Sequence, residues 1–304
     1  MNVPSRKCFS VEPRTLRRFL ELMLSDTDCW TRAELAKRLD VSLMTVGKVA
    51  ERLLDIGVLC EKKLSGAQGG SGRRPCALNY NDFGELVLID LGRDGHLIRM
   101  GIDGKILQNT RILCNDTMSP EDHWNKIVHQ GMEWISCAEK HKTVVTGILL
   151  PEGQVTPPEA EPLLKNGACL ATRDTLTRKE LTSSRYGKTV LHLSMDRTVT
   201  VTLTVHGRIV SRTKREWQGQ EKDALAADIA ALCRFLTPRQ IILERTASVA
   251  AEASGLVRAI RYATEKTGEV PSITVPRELS LAEQGMAELL KQELIERVMK
   301  RAIG

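Results

Sequence analysis

Residues 31–59 read TRAELAKRLDVSLMTVGKVAERLLDIGVL, and residues 60–81 continue CEKKLSGAQGGSGRRPCALNYN. The first segment carries two helix patterns parted by a tight turn. Thr31 and Glu34 have capping-box spacing, so a helix starts there. Leu35, Ala36 and Leu39 then share one face. After the break at Asp40-Val41, Ser42 suits the N-cap of a second helix. Val46, Val49, Ala50 and Leu53 keep the helical period as far as Ile56, where Gly57 supplies a left-handed stop. Upstream, Leu16, Phe19, Leu20 and Met23 form another apolar stripe over residues 13–25. The second segment reads as a hairpin with the tip Gly69-Gly70-Ser71-Gly72-Arg73-Arg74. Three short helices followed by an arginine-tipped hairpin have the order of a winged helix-turn-helix.

Such a unit places one helix in a major groove and the hairpin beside it, so its expected partner is double-stranded DNA. On the 42–56 helix the residues expected to face DNA are Ser42, Met44, Thr45, Lys48 and Arg52. The N-terminal ones are positioned for base edges and the basic ones for phosphates. At the hairpin tip, Gly70 and Gly72 permit close backbone approach. Arg73 and Arg74 suit phosphates or a narrow minor groove. A solvated helix face and a flexible linker ending at Pro75 are the competing readings; the spacing of the whole unit favours DNA. A winged helix that contacts another protein stays open as an alternative.

Charge is distributed in the same sense. The chain has 304 residues and a formal net charge of +6. Residues 1–80 hold 14 Lys and Arg against 9 Asp and Glu, whereas residues 81–304 hold 30 against 29. The excess therefore lies in the first quarter, which supports a polyanionic partner without proving one. Eight scattered cysteines, with no CxxC pair and no Cys/His cluster, argue against a zinc site and a disulfide framework. No cofactor or metal is expected. No apolar run reaches membrane-spanning length, and MNVPSRKCFS lacks a signal-peptide core, so a cytoplasmic protein with reduced thiols is expected. The six histidines show no metal spacing and are read as surface or turn residues.

Beyond residue 80 the period changes. Residues 85–91, 97–102 and 105–112 read as strands, with Asp103-Gly104 as a two-residue hairpin signal. A helix over 120–140 and a buried-type strand over 144–150 follow. Strands at 189–193, 198–205 and 208–213, with a turn at His206-Gly207, repeat the pattern. A helix at 222–235, a strand at 240–243 and a helix at 248–266 complete it. Strands then helices, twice over, predict an α/β domain of two similar lobes over 81–304, after a winged helix-turn-helix over 1–80.

The run GRRPCALNYNDFGELVLIDLGRDGHLIRMGIDGKIL resembles the junction between wing and first lobe in the ROK family (repressors, open reading frames and sugar kinases). FLTPRQIIL at 235–243 and LAEQGMA at 281–287 resemble later segments of that family. The resemblance implies a shortened actin/hexokinase-like domain behind the winged unit. It also implies three turns around ATP, and all three have altered residues here. The first reads Asp90-Leu91-Gly92-Arg93-Asp94, with arginine for a glycine and a carboxylate where phosphate approaches. The second, Ser194-Met195-Asp196-Arg197-Thr198-Val199, has no glycine, and Glu244-Arg245 replaces a Gly-Gly. Phosphoryl transfer rests on positioning and electrostatics around the phosphates, so the domain is expected to lack kinase activity.

The resemblance places the family's catalytic aspartate on Asp174, preceded by Arg173 rather than asparagine; a helix N-cap is the favoured reading of Asp174. The family's Glu-x-Gly-His sugar motif and cysteine-rich zinc motif are missing. Pro151, Pro157, Pro158 and Pro162 suggest a loop in place of lost structure. Asp90, Arg93, Asp94, Arg173 and Asp174 remain as a mixed-charge set in the implied cleft, a candidate site for a small-molecule effector. The expectation is a homodimeric regulator, with repression favoured as its output. A ROK-type sugar kinase with an accessory helix-turn-helix is the alternative.

Overall fold

Among the described residues, three sheets organise the chain, one of three strands and two of five. The computed structural model describes residues 11–25, 30–63, 76–92, 94–114, 117–138, 142–151, 153–183, 189–195, 198–216, 222–245, 250–265, 271–276 and 278–304.

The N-terminal unit runs α1 (Pro13–Ser25), β1 (Trp30–Thr31), α2 (Arg32–Leu39), α3 (Leu43–Asp55), β2 (Leu59–Lys63) and β3 (Cys76–Tyr80). Local chemistry sets its boundaries. Thr31 and Glu34 form the reciprocal capping box of α2, and Asp40 ends that helix in the left-handed region. Ser42 caps α3 through the Thr45 amide, and Gly57 follows the last turn at φ +73°. β2 and β3 pair antiparallel from Leu59↔Tyr80 to Lys63↔Cys76, with β1 on the other side of β3. Leu16, Phe19, Leu20, Leu35, Val46, Val49 and Leu53 are buried together between these elements.

The first lobe contains β4 (Gly84–Asp90), β5 (Asp94–Gly101), β6 (Ile106–Leu113), α4 (Pro120–Ala138), β7 (Thr143–Leu150), α5 (Glu161–Lys165), β8 (Cys169–Thr172) and α6 (Arg173–Leu181). Its sheet order is β6-β5-β4-β7-β8. The second lobe contains β9 (Thr189–Met195), β10 (Thr198–Val205), β11 (Arg208–Glu216), α7 (Lys222–Leu236), β12 (Gln240–Arg245), α8 (Ala250–Glu265), β13 (Ser272–Thr274) and α9 (Leu281–Ile303). Its order, β11-β10-β9-β12-β13, repeats the first strand for strand. Each lobe is an antiparallel three-strand meander extended by two parallel strands. The expected pair of similar α/β lobes is present.

Burial on both faces explains the continuous apolar run of β4. Val87 and Ile89 pack towards Ile127, Val128 and Trp134 of α4, whereas Leu86 and Leu88 pack towards Met286, Leu290 and Leu294 of α9. α9 lies hard against β7: a Cβ on Gly147 would come within 2.6 Å of Met286 Sδ. In the second lobe, Val199 and Leu203 of β10 face α7 and α8. The alternate Thr200, Thr202 and Thr204 are buried on the opposite face.

α9 does more than close the first lobe. Its last two turns bring Ile295, Val298, Met299 and Ala302 into the core of the N-terminal unit. Arg17 of α1 pairs with Glu296 there.

Several expectations need correction. The hairpin at Asp103-Gly104 uses residues 102–105 between its strands, with Gly104 at φ +80° and a register shift at Arg99/Met100. The tight two-residue turn occurs instead at His206-Gly207, where both residues have positive φ. The proline-rich stretch is not merely a loop, because a 3-10 turn at Pro158–Ala160, α5 and β8 form within it. Prolines at the starts of short helices cost no amide donor there. His96, His123 and His192 are buried rather than on the surface, because strands and helices covered on both sides leave no solvent face.

Candidate nucleic-acid interface and the occupied cleft

The open side of α3 is assembled from its first turn. Ser42, Leu43, Met44 and Lys48 are exposed, while Val46, Val49, Ala50 and Leu53 hold the helix to its core. Thr45 is half-buried, and its hydroxyl lies 2.9 Å from that of Ser42. Lys48 is exposed one helical turn from Met44. β2 and β3 follow in the chain as an antiparallel pair. Gly70, Gly72, Arg73 and Arg74 lie outside the described residues.

Arg52 departs from the expected set. It is half-buried, and its Nε donates to the Ala302 carbonyl at 2.8 Å. That carbonyl is among the last of α9, where a guanidinium satisfies an orphan acceptor and complements the helix dipole. Arg52 therefore joins α3 to α9. On the expectation that this turn meets DNA, Lys48→Ala weakens duplex binding and reduces the salt slope by about 0.9. Arg52→Ala is expected to cost about 1–2 kcal/mol of stability and to leave that slope unchanged. Salt titrations of both variants against one duplex, with chemical denaturation, separate the two roles.

The five residues placed in the implied cleft do not act as one set. Arg93 lies outside the described residues. Asp94 is buried at the start of β5. Asp174 does not cap its helix: Thr172 is the N-cap of α6, accepting from the Thr175 amide. The Asp174 carboxylate instead meets Arg212 of β11 at 2.5 Å and Arg178 at 2.8 Å, tying α6 to the second lobe. Asp90 and Arg173 do come together. The guanidinium makes a two-point contact with the Asp90 carboxylate, one arm being Nε to Oδ1 at 3.2 Å.

Sequence reasoning left the other members out of the candidate set, although it named Glu244 in an altered turn. Glu283, in the first turn of α9, accepts from His96 Nδ1 at 2.7 Å and lies 4.0 Å from Arg173. Glu244, at the end of β12, accepts from His192 Nε2 at 2.9 Å. Both imidazoles must donate, because an ionised carboxylate only accepts. The spacing Ser280-x-x-Glu283 was a legible signal, since it is the capping box of α9.

Backbone amides around the cleft are also taken. Gly92 N–H donates to Asp90 Oδ1 at 2.9 Å, Leu281 N–H to Glu244 Oε1 at 2.8 Å, and Ser280 N–H to Glu283 Oε2 at 2.6 Å. Amides at turns and helix starts are where a bound anion would be held. Here the chain's own carboxylates accept from them.

Electrostatics follow from this packing. Burial drives the Asp90 carboxyl above its usual range, although Arg173 pulls the other way. For Glu283 burial acts upward too, but the His96 bond and the Arg173 charge outweigh it and hold the group at about 2. Glu244 is lowered, with burial opposed by His192 and Arg173. Burial works against the Arg173 charge, yet Asp90, Glu283 and Glu244 more than compensate. Among the described residues, no three His, Cys, Asp or Glu side chains are grouped to hold a metal ion. No helix among them is long and apolar enough to cross a membrane.

No family model matches the chain, and no curated protein matches it. Among solved structures, a ROK family transcriptional regulator, described as a homologue of the E. coli MLC protein, aligns with 96% of this chain and 99% of its own. The TM-score is 0.61 and the identity 14%. A ROK family glucokinase from Streptomyces griseus, in complex with glucose and AMPPNP, aligns with 69% of this chain and 100% of its own, at 10% identity and a TM-score of 0.43. A protein with an actin-like ATPase fold from Bacteroides thetaiotaomicron aligns with 67% of this chain and 95% of its own, at 8% identity and a TM-score of 0.44. The fold over nearly the whole chain is that of the first of these structures.

Proposed function

We propose that this chain is a ROK-type transcriptional regulator that binds operator DNA and has lost the family's phosphotransfer chemistry. The observation that carries the reading is the pairing of an exposed α3 first turn and wing stem with a two-lobed body whose cleft amides are occupied by its own carboxylates. α3 enters the major groove, and Lys48 neutralises phosphate beside it. Arg73 and Arg74, which follow the glycines in the sequence, add cations for the neighbouring backbone or minor groove. Two copies reading half-sites one helical turn apart, about 34–36 Å, give the contacts that a single winged unit lacks. A repressor acts by occupying its operator.

Phosphoryl transfer needs amides and cations directed at nucleotide phosphates. In the cleft, the Gly92 amide serves Asp90, and Arg173 fills the space between Asp90 and Glu283. An effector, if the body senses one, has to be compatible with this internal charge set.

Selection of duplexes from a random pool by the purified full chain tests the regulator reading. Recovery of a shared, two-fold sequence is expected, with affinity falling steeply as salt rises. Incubation with ATP and a panel of hexoses and amino sugars tests the lost chemistry; no phosphorylated product is expected. Retention of no duplex above background would reject the first part, and turnover abolished by Asp174→Asn would reject the second.

A further inference from the structure

We infer that the first turn of α3 selects operator sequence through thymine methyl groups, read by Leu43 and Met44. The inference rests on the DNA-binding reading and adds the chemistry of base selection to it.

Base edges are told apart by hydrogen-bonding side chains or by apolar contact with the thymine C5-methyl. The two hydroxyls at this turn are engaged with each other. Ser42 Oγ accepts from the Thr45 amide at 3.1 Å and shares a hydrogen bond with the Thr45 hydroxyl. The helix segment from Leu43 to Asp55 contains no Asn, Gln or His, and its sole arginine, Arg52, is bonded to the Ala302 carbonyl. What the turn presents outward is apolar: Leu43 is 58% exposed and Met44 71%. Among the described residues, neither of these adjacent large apolar side chains belongs to the buried core of the N-terminal unit. A methyl-lined groove floor accommodates both, and the flexible Met44 side chain adapts to its shape.

Charge identifies the occupant. Lys48 follows Met44 by one helical turn and is exposed, which suits phosphates flanking a methyl contact. A second copy of the same face would set lysine against lysine. Further along, Glu51 and Asp55 are exposed, so the helix suits DNA at its N-terminal end and repels it at the other. That polarity matches a recognition helix entering the groove by its first turn.

The test uses duplexes selected from a random pool by the full chain. Each thymine in a half-site is replaced by deoxyuridine, which deletes only the C5-methyl. At one or two positions per half-site the substitution is expected to weaken binding about fourfold, the value of one buried methyl. Met44→Ala or Leu43→Ala is expected to erase the preference at its own position without altering the salt slope. Both side chains are exposed, so the variants keep the fold. Uniform tolerance of deoxyuridine, or a preference that survives both substitutions, overturns the inference while leaving DNA binding intact. Loss of self-association by either variant, without loss of the preference, assigns the turn to a protein interface and also overturns it. Failure to retain any duplex rejects the DNA-binding reading itself.

Discussion

Arg173→Ala is expected to lower stability by about 3–5 kcal/mol, the cost of removing one partner from a buried ion pair. Asp90 is fully buried and Glu283 is 1% exposed, so both carboxylates would keep their desolvation without the cation beside them. Water reaches part of the guanidinium, whose side chain is 31% exposed, which places the effect towards the lower end. Denaturant unfolding at constant m-value measures it. Arg173→Lys should recover only part of the loss, because an ammonium cannot make the two-point contact with Asp90. A fully stable Arg173→Ala protein would show that the cluster does not support the fold.

The same cluster gives an acid limb. Glu283 has a folded value of about 2 against an ordinary 4.5. Its contribution is therefore complete above 4.5 and is lost as pH falls towards 2. Asp90 acts in the opposite sense. Its raised value disfavours the folded state at neutral pH, and the penalty recedes as the carboxyl protonates. Glu283→Gln should flatten stability over the interval from 4.5 to 2.

Ile295→Ala is expected to cost about 2–5 kcal/mol, as for other buried aliphatic truncations, with a distinctive distribution. Ile295 belongs to α9 by sequence, but it packs in the core of the N-terminal unit with Val298, Met299 and Ala302. Hydrogen exchange should therefore show α1 to α3 losing protection while β4 and β7 keep theirs. Under the proposed reading, duplex affinity should fall with it. Equal loss of protection in both regions would indicate that the winged unit and the first lobe unfold together.

Much of the architecture was legible because local signals agreed. The Thr31 box, the Ser42 cap and Gly57 set α2 and α3, and the repeated strand pattern gave both lobes. β8 was missed, since four strand residues after a proline-rich stretch carry no clear period, and α6 was anticipated only through the cap read at Asp174, which Thr172 supplies instead. At the cleft, Asp90 and Arg173 were named as candidates, but their partners were not. His96, Glu244 and Glu283 lie far apart in sequence and meet only when β5, β12 and α9 converge. Arg52 was placed on the DNA side because helical spacing alone cannot reveal that α9 ends beside it.

The path of α9 carries a consequence for synthesis. The winged unit ends its own strands at Tyr80, yet its core is completed by side chains up to Ala302. Ribosomes add about 5–20 residues per second, so the roughly 220 intervening residues take about 10–45 s. During that time the nascent helices lack the apolar surface that seals them, and the last turn of α9 has not yet emerged to meet Arg52. The core of the N-terminal unit, assembled in this way, is complete only after the body has been made.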